Sequence, residues 1–390
     1  MNKLIIIVSM LLSYSFAQNN INQNIITILG TTNVHGEIDP CGWKKKPLGG
    51  LARKATIIEN LSNQNINPIV LDAGDLFFKK DKIEPGITTD IAKINANIIV
   101  ESFNKMGCDA FSPGSKDFAS GLKFLKSLEK KSNFPFISAN LANKKGELLF
   151  QPYVINKHKG NRVAIVGLTS EFVSSEVTVL EPILALQNIV NKIGSDADLL
   201  ILLFNASDSD LNNLYSSQIP VDFVLRSKGR VRSSDGGSKI PTYSAGDRGK
   251  IIYRFDLNLV DSNLPFIDIA WSENTNDRIN SRLNKMKKGD ESAVLEFLYK
   301  DDPATLNRIK NYKNQLEMAN QLLENAINTV GFSKIELGKT VFDRPDILKI
   351  VDRGKVKIKD ISGPPIGPIL PPQPDHKGRM PGDAHYNHNH

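Results

Sequence analysis

The sequence predicts a layered α/β protein. Short apolar runs alternate with stretches of helical periodicity, and glycine and polar residues cluster just after the runs. Alternation of this kind implies strands covered by helices. In such layered folds, sites gather beyond the strand ends.

The elements follow in order. Ile25 to Gly30 is an apolar run ending in glycine, a buried strand, and Leu51 to Leu61 has apolar residues at helical spacing. Pro68 to Asp75 is a second strand that ends in a glycine turn. Ala92 to Met106 is helical, and Cys108 to Ser112 is strand-like. Phe134 to Ala139, Arg162 to Leu168, Leu199 to Phe204 and Val221 to Leu225 are further apolar strands. These elements define a main unit over 24–270. Residues 271–330, rich in Leu, Lys, Glu and Asn, read as a helical extension with an apolar stripe that includes Leu306, Ile309 and Leu316. Residues 331–361 read as a small mixed segment of short strands and a small helix. Seven of the 20 prolines fall in residues 362–390, which predicts an extended or disordered Pro/Gly/His tail.

At the N-terminus, Lys3 precedes the apolar run Leu4 to Leu12, and Ser15 and Ala17 are small residues before Gln18. This is the pattern of a secretory signal over 1–17, so the expected location is exported, periplasmic or secreted. The run is too short for the ~20 residues of a membrane span, and no transmembrane span is expected in the mature chain. Composition excludes several classes. The 390 residues are 40% hydrophobic and 23% charged, which excludes a wholly disordered chain and a collagen. Two cysteines exclude a multi-disulfide scaffold and a four-cysteine zinc module. The net charge of +7 is spread over a chain with 42 acidic residues, and no basic nucleic-acid module stands out, so no nucleic-acid partner is expected.

Seven motifs stand in order. They are Gly30-Thr31-Thr32-Asn33-Val34-His35-Gly36, Gly49-Gly50-Leu51-Ala52-Arg53, Leu71-Asp72-Ala73-Gly74-Asp75, Gly114-Ser115-Lys116-Asp117-Phe118, Ser138-Ala139-Asn140-Leu141, Val166-Gly167-Leu168-Thr169 and Ser244-Ala245-Gly246-Asp247. Their order and spacing resemble the UshA-like 5′-nucleotidase/UDP-sugar hydrolase family of calcineurin-like metallophosphoesterases, over about residues 24–260. The resemblance implies a four-layer α/β/β/α sandwich, here with a C-terminal helical extension. The family's large C-terminal specificity domain has no recognisable counterpart.

The resemblance also implies a two-metal hydrolase, whose paired ions clamp a phosphate and activate water. Position by position, this chain departs from that requirement. The first family carboxylate is Asn33, and the following histidine is retained as His35. The bridging aspartate is retained as Asp75. Ser115 replaces an asparagine, and Lys116 replaces the histidine that assists phosphate chemistry. Asn205 replaces a histidine ligand, and Lys228 and Arg230 replace a histidine pair. These substitutions imply that His35 and Asp75 hold at most a single divalent ion, and no cofactor is expected. Two basic residues stand where cation ligands belong, and an ammonium repels a divalent ion. Asp75 is therefore expected to pair with Lys228 or Arg230, and the surplus positive charge to suit a small anion or a nucleotide.

Asp39-Pro40-Cys41-Gly42-Trp43 lies between the first two motifs. A subset of UshA-like proteins resembles it, with cysteine or selenocysteine at the position of Trp43. Cys41 is a free thiol, a structural bridge or, if residue 43 is recoded, half of a redox pair. Cys108 reads as a small buried hydrophobe, with a bridge to Cys41 left open. Lys44-Lys45-Lys46 is a solvated run or an anion contact. His376, His385, His388 and His390 in the tail have the adventitious metal affinity of any imidazole cluster. Three function classes follow: a non-catalytic binding protein that has lost most metal ligands, a redox protein built on Cys41, and a residual nucleotide or sugar-nucleotide phosphohydrolase.

Overall fold

The computed structural model describes residues 25–42, 46–228, 240–244, 246 and 248–362. The signal-like segment, Trp43, Arg230 and the tail lie outside the described residues.

Two sheets face each other between two helical layers. The first sheet is built on β1 (Ile25–Thr31), β4 (Ile69–Asp72), β5 (Ala110–Phe111), β13 (Ile251–Asn258), β14 (Phe266–Asp268) and β15 (Asn328–Glu336), in the order β14-β15-β13-β1-β4-β5. The second contains β7 (Tyr153–His158), β8 (Asn161–Thr169), β10 (Leu199–Asn205), β11 (Phe223–Ser227) and β12 (Thr242–Ser244), in the order β12-β11-β10-β8-β7. In it, β8, β10, β11 and β12 run parallel, while β7 and β8 form an antiparallel pair. Two minor ladders complete the strands, β2 (Pro40–Cys41) with β3 (Leu48–Gly49) and β6 (Leu141–Ala142) with β9 (Thr178–Val179).

Between the sheets, Ile26, Ile28, Ile69 and Leu71 meet Val163, Ile165, Ile201, Leu203, Phe223 and Leu225 in one buried cluster. The sheets approach closely at Gly30, where an added Cβ would lie 3.0 Å from both Leu225 methyls. On the outer face of the first sheet, Leu29 and Val70 share a core with four helices. These are α1 (Leu51–Asn63), α2 (Ile87–Met106), α3 (Leu122–Glu129) and α9 (Pro345–Ser362). On the outer face of the second, Val166, Leu202 and Phe204 pack with α4 (Pro182–Ile193) and α5 (Asp208–Ser216). Strands covered on both faces read as continuous apolar runs rather than alternating ones. This is why the sequence pattern located them. The expected α/β/β/α layering is the observed one.

Two expectations change in detail. Phe134 to Ala139 forms no regular strand; Phe136 and Ile137 make only isolated bridges, to Phe111 and Gln151. The segment 331–361 is not a unit of its own. β15 pairs antiparallel with β13 from Ile251↔Glu336 to Asn258↔Thr329. Helix α9 lies so close to α2 that a Cβ on Gly354 would meet Ile98 Cδ1 at 2.0 Å. The main unit therefore takes in β15 and α9 as well. The helical extension, α6 (Ile269–Met286), α7 (Leu295–Leu298) and α8 (Pro303–Asn325), has a small core of Ile279, Leu283, Leu295 and Ile309. Among the described residues, no helix is long and apolar enough to cross a membrane.

A buried polar chain ties α1 to the first sheet. Lys54 Nζ donates to Thr31 Oγ1 at 2.9 Å, and Thr31 Oγ1 donates to Asp72 Oδ2 at 2.7 Å. The ammonium also lies 4.1 Å from the centre of the Phe103 ring. Asp72 Oδ1 accepts from the backbone N–H of Gly74 at 3.0 Å, so the chain ends at the loop that carries Asp75. Burial pushes the Asp72 carboxyl up to about 7, although Lys54, Thr31 and Gly74 pull it down. The folded state then holds a proton that the unfolded chain releases near pH 4. Asp72 therefore contributes stability that is present at acid pH and lost as pH rises toward 7. The expected result is that Asp72→Asn gains on the wild type between pH 4.5 and 7.5. The slope is at most ~1.4 kcal/mol per pH unit, read by urea unfolding at each pH.

Candidate functional site

The site lies beyond the C-terminal ends of β1, β4, β5, β10 and β11. The loop after β1 is joined to the loop after β4 by three backbone bonds. Asn33 N donates to Gly74 O at 3.0 Å, His35 N to Asp75 O at 3.0 Å, and Gly36 N to Leu76 O at 2.9 Å. Asn33, His35, Asp75 and Lys228 all have positive φ, between 52° and 69°. Such conformations are uncommon outside glycine and are held by their surroundings. Gly74 has φ 105°, and a Cβ there would lie 2.7 Å from Ser112 O and Gly114 N. Only glycine lets the loops after β4 and β5 meet this closely.

Asp117 organises the centre. Its carboxylate accepts from Asp75 N at 2.9 Å, Phe77 N at 2.8 Å and Gly114 N at 2.8 Å, and its side chain is fully buried. Burial and the charge of Asp75 push its pKa well above the ordinary carboxylate value, against the pull of the backbone donors. Asp117 stands within the motif Gly114-Ser115-Lys116-Asp117-Phe118, but the motif alone implies no role for it. The signal was its place in the motif, an acid two residues beyond Ser115.

The expected site residues do converge. Asn33, His35, Asp75, Ser115, Lys116 and Lys228 all line one open cleft of about 1250 Å³. Asn205 lies just beneath it, wholly buried. Asn205 Oδ1 accepts from Ser115 N at 3.3 Å, and its Nδ2 donates to Ser227 Oγ at 2.6 Å, which in turn donates to Ala73 O at 2.7 Å. Asn205 thus links the two sheets by amide hydrogen bonds. Asn33 Nδ2 donates to Thr32 Oγ1 at 3.1 Å, and its Oδ1 accepts from Lys228 N at 3.3 Å. Ser115 Oγ donates to Asp81 Oδ1 at 3.3 Å. Asp81 and Lys82 line the cleft from a loop without a motif, and sequence reasoning missed both.

The partner of Asp75 differs from the expectation. Its buried carboxylate accepts from Lys116 N at 3.1 Å through Oδ1, and Oδ2 lies 3.7 Å from Lys116 Nζ. Lys116, rather than Lys228, makes the ion pair, and Arg230 lies outside the described residues. The reason is local: Lys116 lies in the turn whose backbone already binds Asp75, so its ammonium has a short way to reach. Lys228 is partly exposed. Its partial desolvation lowers its pKa, Asp75, Asp81 and Asp210 act to raise it, and Lys116 lowers it further.

The residues present do not fit a pair of divalent ions. An ammonium sits 3.7 Å from the one buried carboxylate oxygen that would bridge them. Asn33 and Asn205 offer amides and Ser115 a hydroxyl, where the resemblance implies a carboxylate, an imidazole and an amide. Among the described residues, no group of three or more His, Cys, Asp and Glu is placed to hold a metal ion. Cys41 lies in the β2–β3 ladder opposite Leu48, and no disulfide joins it to Cys108. Burial pushes the Cys108 thiol far above its ordinary range, which makes it inert as a nucleophile.

Comparison with known proteins follows the same motifs. The chain is 32% identical over 146 residues to the trifunctional nucleotide phosphoesterase YfkN of Bacillus subtilis, a match covering 34% of this chain and 10% of that protein. It is 30% identical over 149 residues to UshA of Salmonella pullorum, covering 37% of this chain and 26% of the other. Over that region the chain is similar to UshA-like proteins of the 5′-nucleotidase family. The matched region is a minor share of those curated relatives. The crystal structure of the calcineurin-like phosphoesterase YfkN from Bacillus subtilis superposes with a TM-score of 0.57 at 18% identity, covering 86% of this chain and 97% of that one. That likeness is one of fold. No family model matches the chain.

The ion pair yields a prediction. Removing the ammonium leaves the Asp75 carboxylate buried without its charge partner, so Lys116→Ala should cost about 1–3 kcal/mol. Lys228→Ala, at an exposed side chain, should cost less than about 0.5 kcal/mol. Chemical denaturation of both variants at pH 7 gives the comparison, and the reverse order would mean that Lys228 carries the pairing.

Proposed function

We propose that this chain is an exported, non-catalytic relative of 5′-nucleotidase-type phosphoesterases whose cleft binds a small anion or a nucleotide without metal. The observation that carries this reading is the Lys116 ammonium 3.7 Å from Asp75. It stands where the family chemistry needs a cation, and it is fixed covalently. A protein cation here can neutralise Asp75, but it cannot generate a hydroxide nucleophile as a divalent ion does. Lys228 and Lys82 line the same cleft, as do Asp81 and Glu176, so three lysines face three acids and the attraction for an anion is local to Lys116 and Lys228. A phosphate or carboxylate entering between Lys116 and Lys228 would gain charge-assisted hydrogen bonds. The secretory pattern in residues 1–17 supports export.

Thermal melting tests this reading. Inorganic phosphate and AMP should raise the melting temperature, and EDTA should leave it unchanged. Added manganese, zinc or cobalt should produce no hydrolysis of AMP, UDP-glucose or an aryl phosphate. A marked fall with EDTA, or turnover lost in Asp75→Ala, would instead establish a working metal site and the phosphohydrolase reading.

A further inference from the structure

The cleft has a second chemical character that anion binding does not use. Beside the charged groups, part of its lining is apolar: Phe118, Ala119, Phe172 and Val173. The Phe118 and Phe172 rings lie 5.3 Å apart at 32°. Both are only partly buried, and both pack against the core beneath the first sheet, which fixes them. Val173, on the irregular segment after β8, is 98% exposed at the cleft margin. The acid of that segment that lines the cleft, Glu176, accepts from Leu122 N at 3.0 Å at the start of α3. Its charge is thus engaged at a helix N-terminus rather than left to repel an anion.

One short turn carries both characters. The 3₁₀ turn Ser115–Phe118 holds Lys116 against Asp75 and presents Phe118 to the cleft. Lys116, Phe118 and Phe172 line the same cleft, so an anion held at the ammonium can carry an attached planar group along that wall toward the ring pair. Ligand sites of this kind combine an aromatic wall with a few placed polar groups, and offset ring contacts add affinity beyond simple burial.

We infer that the cleft selects anions carrying a planar ring, with the anion at Lys116 and Lys228 and the ring on the Phe118–Phe172 pair. This rests on the metal-free anion reading given above and specifies which anions the cleft prefers. Titration calorimetry with methyl phosphate and phenyl phosphate, which share the same charged group, tests it. Phenyl phosphate should bind about tenfold tighter than methyl phosphate. Phe172→Leu should reduce that ratio to about threefold or less and leave methyl phosphate affinity unchanged, which also reports an intact fold. Phe118→Leu provides an independent second variant, expected to behave in the same way. Lys116→Gln should weaken both ligands. Equal affinities in the wild type would overturn the ring subsite while keeping the anion site. Binding of neither ligand would overturn both. A preference for phenyl phosphate that survives both phenylalanine variants would put the ring elsewhere and equally overturn the inference.

Discussion

The site depends on one buried carboxylate. Asp117 gathers backbone N–H groups of Asp75, Phe77 and Gly114, and so fixes the loop after β4 against the loop after β5. Backbone donors buried without acceptors would be costly. Their shared acceptor makes the two loops a single rigid piece. The loop after β1 joins this piece through its own backbone bonds to Gly74, Asp75 and Leu76. Every side chain that faces the cleft from these loops inherits its position from that frame.

This explains how the frame can persist while the chemistry at its mouth changes. The bonds that shape the cleft use main-chain groups, Asp117 and the Asn205–Ser227 link, none of which needs a metal. Asn33, Ser115 and Lys116 set the charge and the polar groups at the cleft, and their own side-chain contacts are separate from those backbone bonds. An ion pair between Lys116 and Asp75 then serves the electrostatic need of a carboxylate that has no access to bulk water. Architecture and reactivity are held by different residues here, although both sets lie within the same short motifs.

Much of the fold was legible because its strands are buried on both faces. Runs such as Leu199 to Phe204 and Arg162 to Leu168 leave no ambiguity about a central strand. The convergence of Asn33, His35, Asp75, Ser115, Lys116 and Lys228 was legible through motif order. The choice of ion-pair partner was not, because it depends on the path of the turn that places Lys116 Nζ near Asp75. Sequence position pointed to Lys228 or Arg230, whereas the backbone bond from Lys116 N to Asp75 Oδ1 places the Lys116 ammonium beside that carboxylate. β15 was misjudged as part of a separate segment because its pattern is only half buried. Its partner strand β13 lies some eighty residues earlier, beyond any local signal. Asp81, Lys82 and Phe172 escaped notice because their loops follow no periodicity.

The late arrival of β15 has a consequence for how the chain is made. Until residues 328–336 leave the ribosome, β13 offers an unpaired edge along its whole length. Exposed edges of this kind invite pairing with other chains. The helices of residues 269–325 emerge in the interval, between two strands, β14 and β15, that must finally lie side by side in parallel. A parallel pair needs a crossover of this sort, so the helical excursion sets the delay before the sheet is sealed. A nascent chain halted within it would carry a nearly complete cleft on a sheet still open at one side, and a longer excursion would lengthen that exposure.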